Sequence, residues 1–276
     1  METEKETSMK TYKIMTLGLA LMVITSVCSA QESTEDLAKK LANPIAALIS
    51  VPIQANYDEN IGPNEDGSVW KINIQPVIPF TLNEKWNLIS RTILPVIDQK
   101  DVPVKGMGES GIGDILQSLF FSPQAPTESG WILGAGPVFL LPTGSDDALG
   151  TEKWGVGPTA VALKQVGPWT YGALVNHVWS IAGEDDRADV SATFIQPFLN
   201  YIFSKTKTTI ALNTESTYNW ENEEWSVPIH LQVKQMAKIG PQIMQFGVGA
   251  RYWAVSPDGA AGGWGARAEM VFLFPK

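Results

Sequence analysis

Residues 224–236 read EWSVPIHLQVKQM. From Trp225 on every second residue is apolar (Trp225, Val227, Ile229, Leu231, Val233), with Ser226, Pro228, His230, Gln232 and Lys234 between them. A period of two marks a strand with one apolar and one polar face. The alternation runs from Trp225 to Lys234, well beyond the ~5–6 residues of an ordinary strand in a soluble domain. A strand needs that length when it crosses a bilayer at a tilt.

The same parity recurs along the chain. Ile49, Val51, Ile53, Ala55 and Tyr57 alternate with Ser50, Gln54 and Asn56; Met244, Phe246, Val248, Ala250 and Tyr252 alternate with Gln245 and Arg251. Twelve such runs are predicted, over 46–57, 68–80, 85–97, 112–121, 130–141, 154–165, 168–181, 189–203, 206–218, 224–236, 243–254 and 264–274. An even number of long alternating segments predicts an all-β chain, folded as a transmembrane antiparallel up-and-down β-barrel over residues 46–276. Lipid offers no partner for a sheet edge, so the sheet has to close.

The N-terminus agrees with export. From Met9 the chain carries Lys10 and Lys13, an apolar run from Ile14 to Cys28, then Ser29-Ala30 before Gln31. Basic region, short apolar region and small residues at the cut predict a secretory signal peptide over 1–30. Residues 31–45 are expected to form a short periplasmic helical segment ended at Pro44. Cys28 is the only cysteine and falls in the predicted signal, so disulfides and thiolate chemistry are not expected. A formal net charge of -9 argues against nucleic acid as a partner.

The connections provide a second test. If the first strand starts in the periplasm, the connections 58–67, 98–111, 142–153, 182–188, 219–223 and 255–263 face outward, and they hold most of the acidic residues. The opposite set carries only Glu84 and Glu128 and is generally shorter, as periplasmic turns are. All ten tryptophans fall at or near a predicted strand end, where they are expected to form aromatic girdles at the two interfaces. Pro52, Pro76, Pro79, Pro95, Pro137, Pro158, Pro197 and Pro228 oppose this reading, because proline removes a ladder donor. Bulges or kinks are expected there.

Several stretches carry a resemblance: NPIAALISVPIQANYD, INIQPVIPF, WNLISRTILPVI, GIGDILQSLFFSP, GPVFLLPTG, KWGVGPTAVALKQ, GPWTYGALVNHVWS and IQPFLNY. Together, from about Asn43 to Lys276, the chain resembles a family of outer-membrane β-barrel porins or transporters of Gram-negative bacteria. Some members of that family lie in phenol meta-cleavage pathways. The resemblance implies a barrel in the cell outer membrane and brings no catalytic motif with it.

No GxSxG, HExxH or P-loop is present, and no cofactor is expected. Candidate function rests on the polar parity: Lys71, Gln75, Arg91, Asp114, Asn176, Gln196, Asn200, Asn213, Glu215, His230, Lys234, Arg251, Arg267 and Glu269 are the candidate pore-lining residues. An eight-stranded barrel is filled by its own side chains and sixteen strands leave an aqueous channel. Twelve predicts a narrow pore lined by opposed charges and passing small solutes passively, narrowed further by a loop or by the N-terminal helix. The acidic loop with Glu184, Asp185, Asp186 and Asp189 is a weaker candidate for a divalent cation. Partners expected are outer-membrane lipid and lipopolysaccharide, small solutes and the barrel-assembly machinery, with a homo-oligomer allowed. Two other readings remain open at this point. One is a barrel enzyme acting on envelope lipids, built on His177 with Asp185 or Ser180. The other is a soluble exported β protein that binds a ligand.

Overall fold

The computed structural model of the chain describes residues 33–275. The predicted signal peptide lies outside these residues. One helix, α1 (Thr34–Leu41), precedes fifteen strand segments. The Ser33 side chain caps α1 by accepting from the Asp36 amide; Glu35 and Asp36 stand in its first turn and Lys39 and Lys40 in its last, each sign placed where the helix dipole favours it.

The segments are β1 (Ile49–Ile61), β2 (Gly67–Ile74), β3 (Val77–Thr81), β4 (Trp86–Lys100), β5 (Ser110–Ile112), β6 (Ile115–Pro123), β7 (Trp131–Leu141), β8 (Lys153–Val166), β9 (Trp169–Gly183), β10 (Ser191–Phe203), β11 (Thr208–Thr214), β12 (Ser216–Asn219), β13 (Glu224–Ile239), β14 (Gln242–Val255) and β15 (Gly263–Phe274). Three pairs, β2 with β3, β5 with β6 and β11 with β12, are single staves broken once, so the barrel has twelve staves. Each stave pairs antiparallel with its neighbours in sequence. The last meets the first, Ile49 opposite Phe274 through Tyr57 opposite Ala266, and the sheet has no edge.

The side chains are arranged inside out relative to a soluble protein. On β13, Leu231 and Val233 are 54% and 50% exposed, whereas His230 and Gln232 between them are 0% and 2% exposed. Polar groups inside and apolar groups outside is the arrangement lipid requires. Eight tryptophans, Trp70, Trp86, Trp154, Trp169, Trp179, Trp220, Trp225 and Trp264, are among the exposed large hydrophobics and form the expected girdles. Trp253 corrects that expectation. It shares parity with Arg251, turns inward and donates from Nε1 to Asp58 Oδ1 at 2.9 Å.

The prolines explain the stave breaks. Pro76 lies in the break between β2 and β3, and the Gln75 amide there donates to the Pro52 carbonyl. Pro95 lies opposite the break between β5 and β6, where its carbonyl accepts from Gly113. Pro228 lies opposite Glu215 in the break between β11 and β12, and on its other side the register to β14 shifts between Val227 and Pro228. A residue with no N–H cannot close the ladder, so the partner strand lets go there. Pro137 and Pro158 face each other, and the ladders to the strands flanking them each lose two pairs there without a change of register. Pro79 and Pro197 sit in unbroken register, so two of the expected irregularities are absent.

At the end of the barrel with the short turns, the interior is apolar and filled by the N-terminal segment. Leu37, Ala38, Ala46 and Leu48 pack on Ile202, Met236, Val271 and Leu273 of the inner wall. Ile45 reaches the opposite wall and packs with Ile89, Phe120, Val161, Leu163 and Leu174. Residues 37–48 therefore cross the lumen from one side to the other. The Gln165 side chain ties the segment down by donating to the Lys39 carbonyl at 2.8 Å.

Candidate functional site

Beyond this plug the inner wall turns polar, and its charges are arranged in tiers. Nearest the plug, Lys234 on β13 donates to both oxygens of Glu269 on β15, at 2.9 and 3.1 Å. Between them on β14 stands Gly247, where a Cβ would come 3.1 Å from Lys234 Cγ and 3.5 Å from Glu269 Cβ. The glycine leaves room for two long side chains to meet across a whole strand.

In the middle tier, Arg267 makes a two-pronged pair with Glu215, Nη1 to Oε1 and Nη2 to Oε2, both at 2.8 Å. Its Nε donates to Asn56 Oδ1 at 2.6 Å. Parallel bonds of this kind hold the guanidinium and carboxylate in one plane and are among the stronger polar contacts in proteins. Glu215 is available because it lies in the ladder break opposite Pro228. His230 sits beside it, fully buried, with Nε2 at 3.6 Å from Glu215 Oε2.

In the upper tier, Arg251 Nη1 bonds Asp58 Oδ2 at 2.8 Å, and the guanidinium carbon lies 4.9 Å from the centre of the Trp253 ring. Gly265 again makes the space: a Cβ there would stand 2.7 Å from Asp58 Oδ1 and 2.8 Å from Arg251 Cγ. Asp58 was expected in a connection; it belongs to β1 and is 5% exposed. Extending the β1 parity from Gln54 and Asn56 by two residues would have found it.

Two cations remain without a carboxylate. Among the described residues the Lys71 ammonium makes no hydrogen bond or ion pair, and Arg91 makes one hydrogen bond, Nη2 to Gln75 Oε1 at 3.0 Å. A cavity of about 180 Å³ lies between the plug and this wall, and Arg91, Gln196, Asn200, Asn213, Glu215, Lys234 and Glu269 line it.

The structure thus brings together most of the predicted set. Asn176 points inward from β9, 7% exposed, away from that cavity. Asp114 stands apart: its carboxylate accepts from the Gly144 and Thr151 amides and from the Thr151 hydroxyl, and so fastens the 142–151 connection. The acidic loop does not converge. Asp189 pairs with Lys153 at 3.3 Å and accepts from Ser180, and among the described residues no group of three or more acidic, His or Cys side chains is arranged to hold a metal. Ser180's hydroxyl and then the Lys153 ammonium hold the Asp189 carboxyl below the usual carboxylate range.

His177 is placed differently from the expected pairing with Asp185 or Ser180. Its ring points outward near the long-loop end, lies tilted against Trp179 with centroids 4.1 Å apart and has Nδ1 2.7 Å from Thr193 Oγ1. The same hydroxyl accepts from Trp220 Nε1 at 2.8 Å. These contacts build an interface girdle in which a polar atom of each ring is tied to one threonine.

No family model and no curated relative matches the chain. Among solved structures it is similar to the COG4313 outer membrane channel from Pseudomonas putida F1, with a TM-score of 0.63 and 14% identity over 83% of this chain and 96% of that one. It is also similar to the NanC porin, with a TM-score of 0.51 and 8% identity over 82% and 100% of the two chains. Outer membrane phospholipase A from Escherichia coli aligns with a TM-score of 0.45 and 13% identity over 86% and 98%. The first two likenesses show the fold. With the apolar outer face and the two girdles, they make this chain an outer-membrane β-barrel.

Proposed function

We propose that the protein is an outer-membrane channel that passes small solutes passively through a narrow charged lumen. The observation that carries this is the tiered set of cross-strand charge pairs on the inner wall, Lys234–Glu269, Arg267–Glu215 and Arg251–Asp58. Charges inside a membrane protein face water-filled paths or partners, and here they line the one interior the barrel has.

The long acidic connections face outside and the short turns face the periplasm, with residues 1–30 serving as the export signal. Residues 33–48 then narrow the periplasmic end, and conduction proceeds around that segment or when it withdraws. The reading is of a channel and not an enzyme. The imidazole near the outer rim, His177, is occupied by Thr193 and Trp179, and among the described residues no carboxylate pairs with it. The two similar structures with TM-scores above 0.5 are described as a channel and a porin, which supports the same reading. Purified, folded protein added to a planar bilayer gives discrete conductance steps; a silent bilayer with protein shown to be folded by its heat-modifiable gel mobility refutes the proposal.

A further inference from the structure

The geometry points to a binding site for a small hydroxylated monocarboxylate in the cavity between the plug and the charged wall, with Arg91 as its anchor. The inference rests on the channel reading and names the class of solute the channel takes.

Charge compensation at the cavity comes first. Of the carboxylates that line it, Glu269 is held by Lys234 and Glu215 is held on both oxygens by Arg267. Arg91 has no such partner. A guanidinium carries five N–H donors, and Arg91 spends one of them, on Gln75. Arg91 is half-buried on the barrel wall, and a cation in that position is balanced by a carboxylate or by hydration. The fold supplies carboxylates to its neighbours and withholds one here. The vacant donors present the planar fork that takes a carboxylate through two parallel bonds.

The rest of the wall narrows the class. Glu215 and Glu269 face the same cavity, so a dianion such as phosphate meets repulsion from both, whereas a single negative charge at Arg91 is balanced. The Gln196 and Asn200 side chains line the same cavity, half-buried, and among the described residues neither makes a hydrogen bond. Their amide oxygens accept from hydroxyls, and a solute bearing several hydroxyls meets them where an aliphatic acid does not. The cavity of about 180 Å³ has room for one small molecule.

The test uses the folded protein with gluconate as the probe, sorbitol as the uncharged polyol and inorganic phosphate as the dianion. Calorimetric titration of wild-type protein in detergent is expected to show saturable gluconate binding that sorbitol does not compete for and phosphate competes for weakly. Arg91→Gln is expected to weaken gluconate binding roughly tenfold to a hundredfold, the loss of a charged two-pronged contact, and Arg91→Lys to fall between. In bilayers, gluconate is expected to block the chloride current of wild-type protein and to lose that block in Arg91→Gln. No saturable gluconate binding by wild-type protein overturns the inference, as does binding or block that Arg91→Gln and Arg91→Lys leave unchanged. Steps without gluconate binding overturn the site and leave the channel standing. Gluconate binding in a protein that gives no steps supports the site and overturns the channel.

Discussion

Replacing Glu215 by alanine is the perturbation whose consequence follows most directly from the inner wall. Glu215 gives Arg267 two bonds at 2.8 Å, and the Arg267 side chain is 1% exposed. Removing one partner of a buried pair costs about 3–5 kcal/mol, because the remaining charge is left buried and unpaired. Two features of this site reduce that figure. Arg267 keeps its bond to Asn56, and Glu215 is itself 23% exposed toward the lumen, where water can reach the vacated space. The expected loss is therefore about 2–3 kcal/mol, a factor of about 30–150 in the folding equilibrium. Equilibrium unfolding in urea, with the barrel folded into vesicles and followed by tryptophan emission, reads it. Arg267→Ala should cost a similar amount, and the double variant should cost less than the two singles together. A Glu215→Ala barrel within about 0.5 kcal/mol of wild type, or strictly additive variants, would refute the reading of Arg267 and Glu215 as a buried pair whose members depend on each other.

Val248, at the middle of β14 and 65% exposed, faces the acyl chains, so Val248→Arg should destabilise the folded barrel in vesicles by about 2–4 kcal/mol and leave channel selectivity unchanged. Leu37→Ala removes the helix side chain buried against Met236 and Leu273; hydrogen exchange in α1 should rise by one to two orders of magnitude, matching about 2 kcal/mol of docking, and mean conductance should rise with it. For Asp189, whose folded carboxyl titrates below its unfolded range, the contribution of the Lys153 contact is present above about pH 4 and is lost as pH falls through the lower folded value. Asp189→Asn should therefore differ from wild type in protease resistance of the 184–190 connection at neutral pH and match it in strong acid.

The wall and the plug were not equally legible in the sequence. Parity alone placed Lys71, Arg91, Glu215, His230, Lys234, Arg251, Arg267 and Glu269 on one face, because in lipid the polar and apolar sides of a strand cannot be exchanged. What parity could not give was the partner of each charge. Lys234 and Glu269 are 35 residues apart and meet only because Gly247 lies between them, and that depends on the stagger of three strands. Asp58 was lost to a boundary error at the end of β1, where a polar residue near a connection reads as loop, and Trp253, inside its expected strand, was assigned to the girdle by its place near the strand end. The prolines carried a signal about fold and site at once. Pro76, Pro95 and Pro228 mark the ladder breaks, and the residues freed there include Gln75, Asp114 and Glu215, each of which holds a charge or a loop in place. The plug was legible as a helix ended by a proline and as one of two elements, with a loop, expected to narrow the pore. That Ile45 and Leu37 reach opposite walls is a tertiary fact without a local pattern.

A spin label placed in turn on residues 229–234 tests the alternation of β13, and with it the lipid-facing barrel, directly. In protein folded into vesicles, labels at Ile229, Leu231 and Val233 should be relaxed by lipid-soluble oxygen. Labels at His230, Gln232 and Lys234 should respond instead to a water-soluble nickel chelate, giving two curves of period two in opposite phase. Curves in phase, or nickel access at Leu231 and Val233 equal to that at Gln232, would contradict a lipid-facing strand and with it the barrel's place in the membrane.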